Sequence, residues 1–176
     1  MAMTLITTNT ESGDATSSFT SGIDSTYKLY IFKFYAVNPA TDLAEFEFNG
    51  SIDAGSNYNV TKTTTVWRAY HTEGGSTALG YDTSNDTAQG TGFQRLSMDV
   101  GNGADESCAG ELFLFNPSST TYVKHFYCTN STQDGADAEY NYYIGGYFNT
   151  TDNIDAVQFK MSSGNMDGVI KMYGVG

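Results

Sequence analysis

The stretch Glu111–Cys128 constrains the fold more than any other part of the chain. Two runs of aromatic and aliphatic residues, each of strand length, flank the turn-forming hexapeptide Asn116–Thr121. Turn residues between two such runs are the sequence signature of a β-hairpin. The first run, Glu-Leu-Phe-Leu-Phe, points its leucines to one side of the strand and its phenylalanines to the other. Because both sides are apolar, we expect this strand between layers or at a subunit contact.

Aromatic and β-branched residues dominate the apolar runs of the chain, which has 13 Tyr and 11 Phe among 176 residues. Clusters of Gly, Asn, Asp and Ser separate these runs at intervals of roughly ten residues, the spacing of strands in a β-sandwich. No run keeps a period of 3.6 residues, so helices are not expected. We therefore predict an all-β protein, an antiparallel β-sandwich of jelly-roll-like topology with about nine or ten strands.

The chain length suits one compact domain, which we place at residues 19–176. The segment before it has one small apolar patch, Met3, Leu5 and Ile6, followed by a polar run from Asn9 to Ser18. Such a patch does not offset the entropy of ordering the segment. Residues 1–18 are therefore predicted to form a flexible N-terminal arm, whose apolar patch is a candidate contact with a neighbouring subunit.

The run Leu43–Asn49 alternates apolar and charged residues. This period predicts a strand with Phe46 and Phe48 facing the core and with Glu45 and Glu47 facing solvent. Elsewhere the pattern predicts a long loop with a short helical turn, a second polar loop, and a Tyr-rich strand interrupted by a bulge or bend at its Gly-Gly pair. These three segments are Thr72–Gly92, Asn130–Ala138 and Glu139–Phe148.

The charge balance excludes several classes of partner. The formal net charge is −12, and the chain has only 8 Lys and Arg residues. Such a negative field repels phosphate backbones and anionic lipid surfaces, so neither nucleic acid nor a membrane is expected as a partner. The N-terminal sequence lacks the basic region and the long apolar core of a secretory signal, which predicts assembly inside a cell.

Cys108 and Cys128 are the only cysteines. If the hairpin closes symmetrically on Ser118 and Ser119, the two cysteines fall nearly opposite each other. A cross-strand disulfide and two buried reduced thiols are both compatible with this placement. Reduced thiols are favoured for a protein made in the cytosol.

The sequence lacks the motifs of the common catalytic sites. It has no nucleophile elbow, no phosphate-binding loop and no Cys/His spacing typical of zinc. Glu45 and Glu47 lie two apart on one strand face, where a sandwich-fold glycoside hydrolase places its paired carboxylates. The same spacing is ordinary on the solvated face of an alternating strand, and this second interpretation is favoured. We therefore expect a protein that is not an enzyme and that has no cofactor.

Acidic turns offer weak candidates for calcium. The EF-hand pattern fails in the first of them because Gly and Glu are missing at its sixth and twelfth positions. Solvated turn residues explain both groups more simply, so no metal site is predicted. The two groups are Asp82, Ser84 and Asp86, and Asp99, Asp105 and Glu106.

A cluster of tyrosines near residue 140 is the remaining candidate for an interaction site. Tyrosine rings stack on sugars, are enriched at subunit interfaces, and also pack in cores. The sequence leaves these alternatives open, with core packing or an interface placed first. The cluster consists of Tyr140, Tyr142, Tyr143 and Tyr147.

Three stretches together, Ser18–Tyr27, Leu112–Phe126 and Phe159–Gly174, resemble a family of structural virion proteins carried by tailed phages. The resemblance covers most of the chain, and its motifs concern the fold and not catalysis. It implies a component of the virion, assembled in the host cytoplasm, without catalytic residues.

Two functions fit this resemblance. A capsid decoration (cement) protein would assemble with itself, as a homotrimer, and with other virion proteins such as the major capsid protein. A receptor- or glycan-binding module of a tail or head fibre would instead present the tyrosines and the long loops to a host glycan. The sequence favours decoration, because the long trimerising shaft usual in fibre proteins is missing from it.

Overall fold

A computed structural model of the protein describes residues 2–176, which form twelve β-strands and no helix. This confirms the all-β prediction, with a slightly higher strand count than the nine or ten expected. No helix long and apolar enough to span a membrane is found in the described residues. The strands are β1 (Met3–Asp14), β2 (Thr16–Phe19), β3 (Leu29–Pro39), β4 (Ala44–Ser51), β5 (Lys62–Thr72), β6 (Thr77–Tyr81), β7 (Gln94–Val100), β8 (Cys108–Phe115), β9 (Lys124–Gln133), β10 (Ala138–Phe148), β11 (Ala156–Met161) and β12 (Met166–Val175).

The strands form two antiparallel sheets that pack face to face. The wide sheet has eight strands in the order β1-β12-β3-β8-β9-β10-β5-β6, and the narrow sheet has four in the order β2-β11-β4-β7. The chain changes sheet at every connection from β1 to β5, from β6 to β8 and from β10 to β12. This alternation is jelly-roll-like. Two inserted hairpins, β5–β6 and β9–β10, widen one sheet from four strands to eight.

The core lies between the inner faces of the sheets and is built largely from phenylalanine. The Phe159 ring of β11 lies 5.7 Å from the Phe46 ring of β4 and 5.5 Å from the Phe32 ring of the opposite sheet. Phe46 and Phe48 are fully buried, while Glu45 and Glu47 on the other side of β4 are partly exposed. The predicted faces of this strand are therefore confirmed.

The predicted central hairpin is present as β8 and β9, but its register differs from the symmetric closure on Ser118 and Ser119. Leu112 pairs with Cys128 and Cys108 pairs with Thr132, so the loop is centred on Thr120. The two cysteines are consequently offset by four residues along the ladder. Both are buried free thiols, which agrees with the favoured interpretation.

Residues predicted to form a flexible arm lie in strands. β1 pairs with β12 from Met3 to Asp14 and forms one edge of the wide sheet, and β2 pairs with β11 in the narrow sheet. The Asn9 side chain donates hydrogen bonds to Ser17 Oγ and to the Ser18 carbonyl, which ties the two strands together. The pairing of β1 could not be predicted from its polar composition, because backbone hydrogen bonds, and not burial of apolar side chains, hold most of this strand in place.

Three further segments differ from their predictions. The long loop contains the strand β6, without a helical turn, and the second polar loop shrinks to a turn between β9 and β10. β10 keeps a regular register across Gly145 and Gly146, so the predicted bulge is wrong. A Cβ on Gly146 would lie 2.6 Å from Thr64 Cγ2 and 2.7 Å from the Thr63 carbonyl oxygen. The glycine is needed for close packing between β10 and β5.

Candidate functional site

The outer face of the wide sheet carries an extended apolar surface that nothing in the described chain covers. Three adjacent rows of side chains cross this face, one residue per strand, as the antiparallel registers dictate. We call these three rows the aromatic face. The first row consists of Tyr81, Trp67, Tyr143, Thr129, Glu111, Lys33, Lys171 and Thr8. The middle row consists of Thr65, Gly145, Tyr127, Phe113, Ile31, Tyr173 and Leu5. The third row consists of Thr63, Tyr147, His125, Phe115, Leu29, Val175 and Met3.

Rings on this face pack against one another and remain accessible. Phe113 stacks on Tyr127 with their ring centroids 4.5 Å apart, and Trp67 packs edge-on against Tyr81 at 5.6 Å. Trp67 and Tyr143 are each 49% exposed and Tyr127 is 41% exposed. A large apolar patch of this kind is characteristic of an interaction surface, because isolated monomers rarely leave one uncovered.

The aromatic face is also poor in acidic groups. Its one carboxylate, Glu111, is paired with Lys33 at 3.0 Å, although the chain has 20 Asp and Glu residues. Lys171 lies over the Tyr35 ring, with its Nζ 5.7 Å from the ring centroid. The hydrogen bond to Glu111 raises the pKa of Lys33, so this lysine stays charged. The negative charge of the molecule therefore lies almost entirely outside this face.

A shallow groove of about 470 Å³ runs along the rim of the aromatic face between Tyr35 and Tyr143. Small residues of β8 and β9, such as Ala109 and Ser131, are among the residues that line it. Polar side chains, among them Asn141 and the Lys33–Glu111 pair, line its sides. The combination of two tyrosine rings, those of Tyr35 and Tyr143, with hydrogen-bonding groups suits a sugar, whose faces are apolar and whose edges carry hydroxyls.

The structure separates the predicted tyrosine cluster into two groups, because neighbouring residues of β10 point to opposite sides. Tyr143 and Tyr147 belong to the aromatic face. Tyr142 is fully buried on the other side and Tyr140 is partly buried there, with parallel rings 5.8 Å apart. Burial raises the pKa of Tyr142 well above its usual value. Tyr140 and Tyr142 are thus packing residues of the inner side.

The apolar patch at the N-terminus divides in the same way. Met3 and Leu5 are about half exposed and stand at the β1 end of the aromatic face. A bulge after Leu5 turns Ile6 inward, where it packs partly buried against the core. Two of the three predicted contact residues therefore lie on the candidate surface.

Sequence reasoning missed most of this surface. Trp67, Tyr81, Phe113 and Tyr127 were not among the predicted interaction residues. The available signal was the two-sided apolar pattern of β8, which did indicate a strand between layers or at a contact. The strand order that places β5, β6 and β9 in the same sheet as β8 cannot be deduced from a single strand.

Glu45 and Glu47 lie in a network of ion pairs across the narrow sheet. Arg95 contacts Glu45 at 3.3 Å and Glu47 at 4.0 Å, and Lys160 contacts Glu47 at 3.6 Å. Partial burial raises the pKa of Glu47, and the two cations act in the opposite direction. Both carboxylates therefore have cationic partners on neighbouring strands, as expected for charges that stabilise a sheet surface.

The acidic turns hold their carboxylates in local hydrogen bonds. Asp82 accepts from the Ser84 amide and from the Asn85 side chain, and it pairs with Arg68 at 3.4 Å. Glu106 accepts from the Gly103 amide. No cluster of three or more His, Cys, Asp or Glu side chains able to hold a metal ion occurs among residues 2–176.

Comparisons of the chain with protein-family models, with curated proteins and with solved structures found no match. The function therefore has to be inferred from the chemistry of the aromatic face and its groove.

Proposed function

We propose that this protein is a structural component of a bacteriophage virion, a capsid decoration protein that assembles through its aromatic face. The partners are further copies of the chain, in a homotrimer, and the major capsid protein. One observation carries the proposal: the aromatic face is a broad apolar surface with a single, paired carboxylate in a chain of net charge −12. The resemblance of three sequence stretches to phage structural proteins supports the location in the virion.

The size of the face suits a stable interface. Eight strands spaced about 4.8 Å apart and three rows spaced about 6.8 Å apart span roughly 700 Å². Stable interfaces of standard size bury about 800 Å² on each partner. The exposed tryptophan and tyrosines are the residue types that contribute most binding energy when buried at the centre of an interface.

The distribution of charge favours contact on this side. Two chains of net charge −12 repel each other, and the repulsion is greatest where carboxylates would be brought together. Contact through the aromatic face keeps almost all carboxylates away from the interface. Burial of apolar area there can then exceed the remaining long-range repulsion.

A charge placed on the aromatic face tests this proposal. In Tyr127→Glu a carboxylate enters the middle row without an added cation, and we expect sedimentation to show a monomer where the native protein is oligomeric. Ile52→Glu is the matched control, because Ile52 is 43% exposed but belongs to the turn after β4. A native protein that stays monomeric at all concentrations, or equal behaviour of the two variants, would contradict assembly through this face.

The number of copies of the protein in each particle tests where in the virion it is located. Quantitative gel densitometry of purified particles should give a copy number comparable to that of the major capsid protein. A count comparable to that of tail or fibre proteins would contradict decoration and support an appendage.

Binding of a glycan receptor is the second candidate function, and the groove between Tyr35 and Tyr143 is the observation that favours it. The Lys33–Glu111 ion pair leaves the groove close to neutral, which suits an uncharged oligosaccharide. Titration calorimetry with neutral host oligosaccharides should then show binding that Tyr143→Ala removes. Tyr122→Ala, which changes an exposed ring in the loop between β8 and β9, should retain it. An absence of binding by the native protein would leave assembly as the function of the face.

A further inference from the structure

Lys62, the first residue of β5, is fully buried, although lysine is normally among the most exposed residues. Its Nζ donates to oxygen atoms of neutral groups: Asn49 Oδ1 at 3.0 Å, the Val60 carbonyl at 3.3 Å and the Gly92 carbonyl. Removal from water disfavours the charged form, and burial lowers the pKa of Lys62 to about 8, with the charge of Glu47 acting weakly in the opposite direction. About a tenth of this lysine is thus present as a neutral, nucleophilic amine at pH 7.

The Asn49 side chain is held with its carbonyl group toward this amine. Its Nδ2 donates to the Tyr58 carbonyl at 2.7 Å and to the Thr91 carbonyl at 3.0 Å, which fixes the orientation of the amide. Its Oδ1 accepts from the Gly50 backbone N–H at 2.9 Å. A fixed N–H donor on a carbonyl oxygen stabilises the negative charge that develops there when a nucleophile attacks the carbon.

We infer that Lys62 and Asn49 react with each other to form an intramolecular isopeptide bond between Lys62 Nζ and Asn49 Cγ. With Nζ to Oδ1 at 3.0 Å and a C=O bond of about 1.23 Å, Nζ lies at most about 4.2 Å from Cγ. A small side-chain rotation brings this to the about 3–3.5 Å from which bond formation proceeds. The site is independent of the aromatic face, and the inference does not depend on the proposed function.

The reaction balances without any external reactant. The lone pair of neutral Nζ attacks Asn49 Cγ, and Oδ1 takes up the negative charge next to the Gly50 N–H. One proton then passes from Nζ to Nδ2, the Cγ–Nδ2 bond breaks, and ammonia leaves. A primary amine and a carboxamide have become a secondary amide and ammonia. When Nζ loses the proton that it donates to Asn49 Oδ1, its two remaining N–H groups donate to the backbone carbonyls of Val60 and Gly92, and the lone pair is directed toward Asn49.

Glu47 is the carboxyl group whose charge acts on Lys62, and we infer that it assists the proton transfer. It lies two residues before Asn49 on β4, so the two side chains leave the strand on the same side, roughly 7 Å apart at their origins. Partial burial raises the pKa of its carboxyl group above the usual value, which favours proton uptake. Its ion pairs with Lys160 and Arg95 fix the position of its carboxyl group.

The bond would join β4 of the narrow sheet to the start of the inserted hairpin β5–β6. It would close the connection between these strands into a covalent loop and fix one end of the insertion to the sandwich. Cross-links of this kind stabilise mainly by restricting the unfolded chain. The cross-linked form should accordingly melt at a higher temperature than the open form.

Intact mass spectrometry tests the inference on the native protein. We expect the chain to lose the mass of one ammonia molecule during incubation at mildly alkaline pH. The rate should rise about 50-fold between pH 6 and pH 8, as the neutral fraction of an amine with a pKa of about 8 does. Proteolysis should yield one branched fragment that contains both Lys62 and Asn49, with no tryptic cleavage after Lys62. A mass that stays that of the encoded chain throughout this incubation overturns the inference.

Asn49 is followed by Gly50, and such a pair can also lose ammonia by attack of the backbone nitrogen to form a succinimide. Hydroxylamine cleaves the succinimide but not the isopeptide bond. Lys62→Arg keeps the positive charge and should abolish the loss of ammonia, whereas a succinimide would still form in that variant. Glu47→Gln should slow the reaction while leaving the fold intact. Loss of ammonia that persists in Lys62→Arg overturns the inference.

Discussion

Gly145 and Gly146 are neighbours in β10, yet the structure gives them different surroundings. A Cβ on Gly145 would meet its nearest atom, Thr65 Oγ1, at 3.6 Å, whereas one on Gly146 would be forced against the backbone of β5. We expect Gly146→Ala to lower the free energy of unfolding by about 1–3 kcal/mol through overpacking. Gly145→Ala is the control and should change it by less than about 1 kcal/mol. Chemical denaturation of the two variants measures both, and equal losses would show that β10 and β5 are not packed as described.

The buried thiols give the molecule a predictable response to alkaline pH. Burial raises the pKa of Cys108 to about 12 and that of Cys128 well above its usual value. Since the unfolded thiols ionise near pH 9, the stabilisation is fully present below that pH and is lost as the pH rises from there toward 12. The free energy of unfolding should fall by about 1.4 kcal/mol per pH unit for each thiol in this window.

Denaturation at a series of pH values checks this expectation. The double variant Cys108→Ala, Cys128→Ala should lack this contribution, so that its stability falls less steeply than that of the native protein over the same pH range. A slope as steep as that of the native protein would mean that the cysteines are not the groups responsible.

At the scale of single elements, the sequence predicted a strand correctly where burial of its side chains stabilises it. It failed where backbone pairing with a neighbouring strand is the main source of stability. β4 alternates Phe with Glu, and its faces were confirmed, because one side is the core. β1 and β6 have few buried side chains, and each forms an edge of the wide sheet by pairing with one neighbour. Their formation depends on partners distant in sequence, which composition does not reveal.

Substitutions of two neighbouring residues, Ile6 and Leu5, test whether the N-terminal segment is the strand β1 or a flexible arm. Ile6 packs against the core, with its Cγ2 methyl near Gly22, whereas Leu5 is 51% exposed. We expect Ile6→Ala to lower the free energy of unfolding by about 1–2 kcal/mol and Leu5→Ala to lower it by less than about 0.5 kcal/mol. Thermal or chemical denaturation of the isolated protein gives both values. A flexible arm would make both substitutions neutral.

At the scale of the whole molecule, the sequence predicted the sandwich but not the surface that the two sheets create. Tyr143 and Leu5 are far apart in the chain, and only the register of eight strands places them on one face. The scarcity of acidic residues on that face, where Glu111 is the one carboxylate, is likewise a property of the assembled sheet. β6 contributes one residue to this face and every other strand of the sheet contributes three, too few for the depletion to be visible in any single strand.

The charge of the whole molecule determines how its assembly should respond to salt. If chains of net charge −12 associate through an apolar face, long-range repulsion opposes association and apolar burial drives it. At low salt the repulsion extends about 30 Å, whereas at about 0.15 M salt it is screened beyond about 8 Å. We therefore expect the oligomer to become tighter as salt is raised, by several-fold in its dissociation constant.

Sedimentation equilibrium at low and at physiological ionic strength measures this change, and the monomeric Tyr127→Glu variant serves as the control for nonspecific association. An interface held by complementary charges, such as Lys33 and Lys171 against carboxylates of a neighbour, would weaken as salt is raised. The sign of the salt dependence therefore distinguishes burial of the aromatic rings from pairing of charges as the force that holds the copies together.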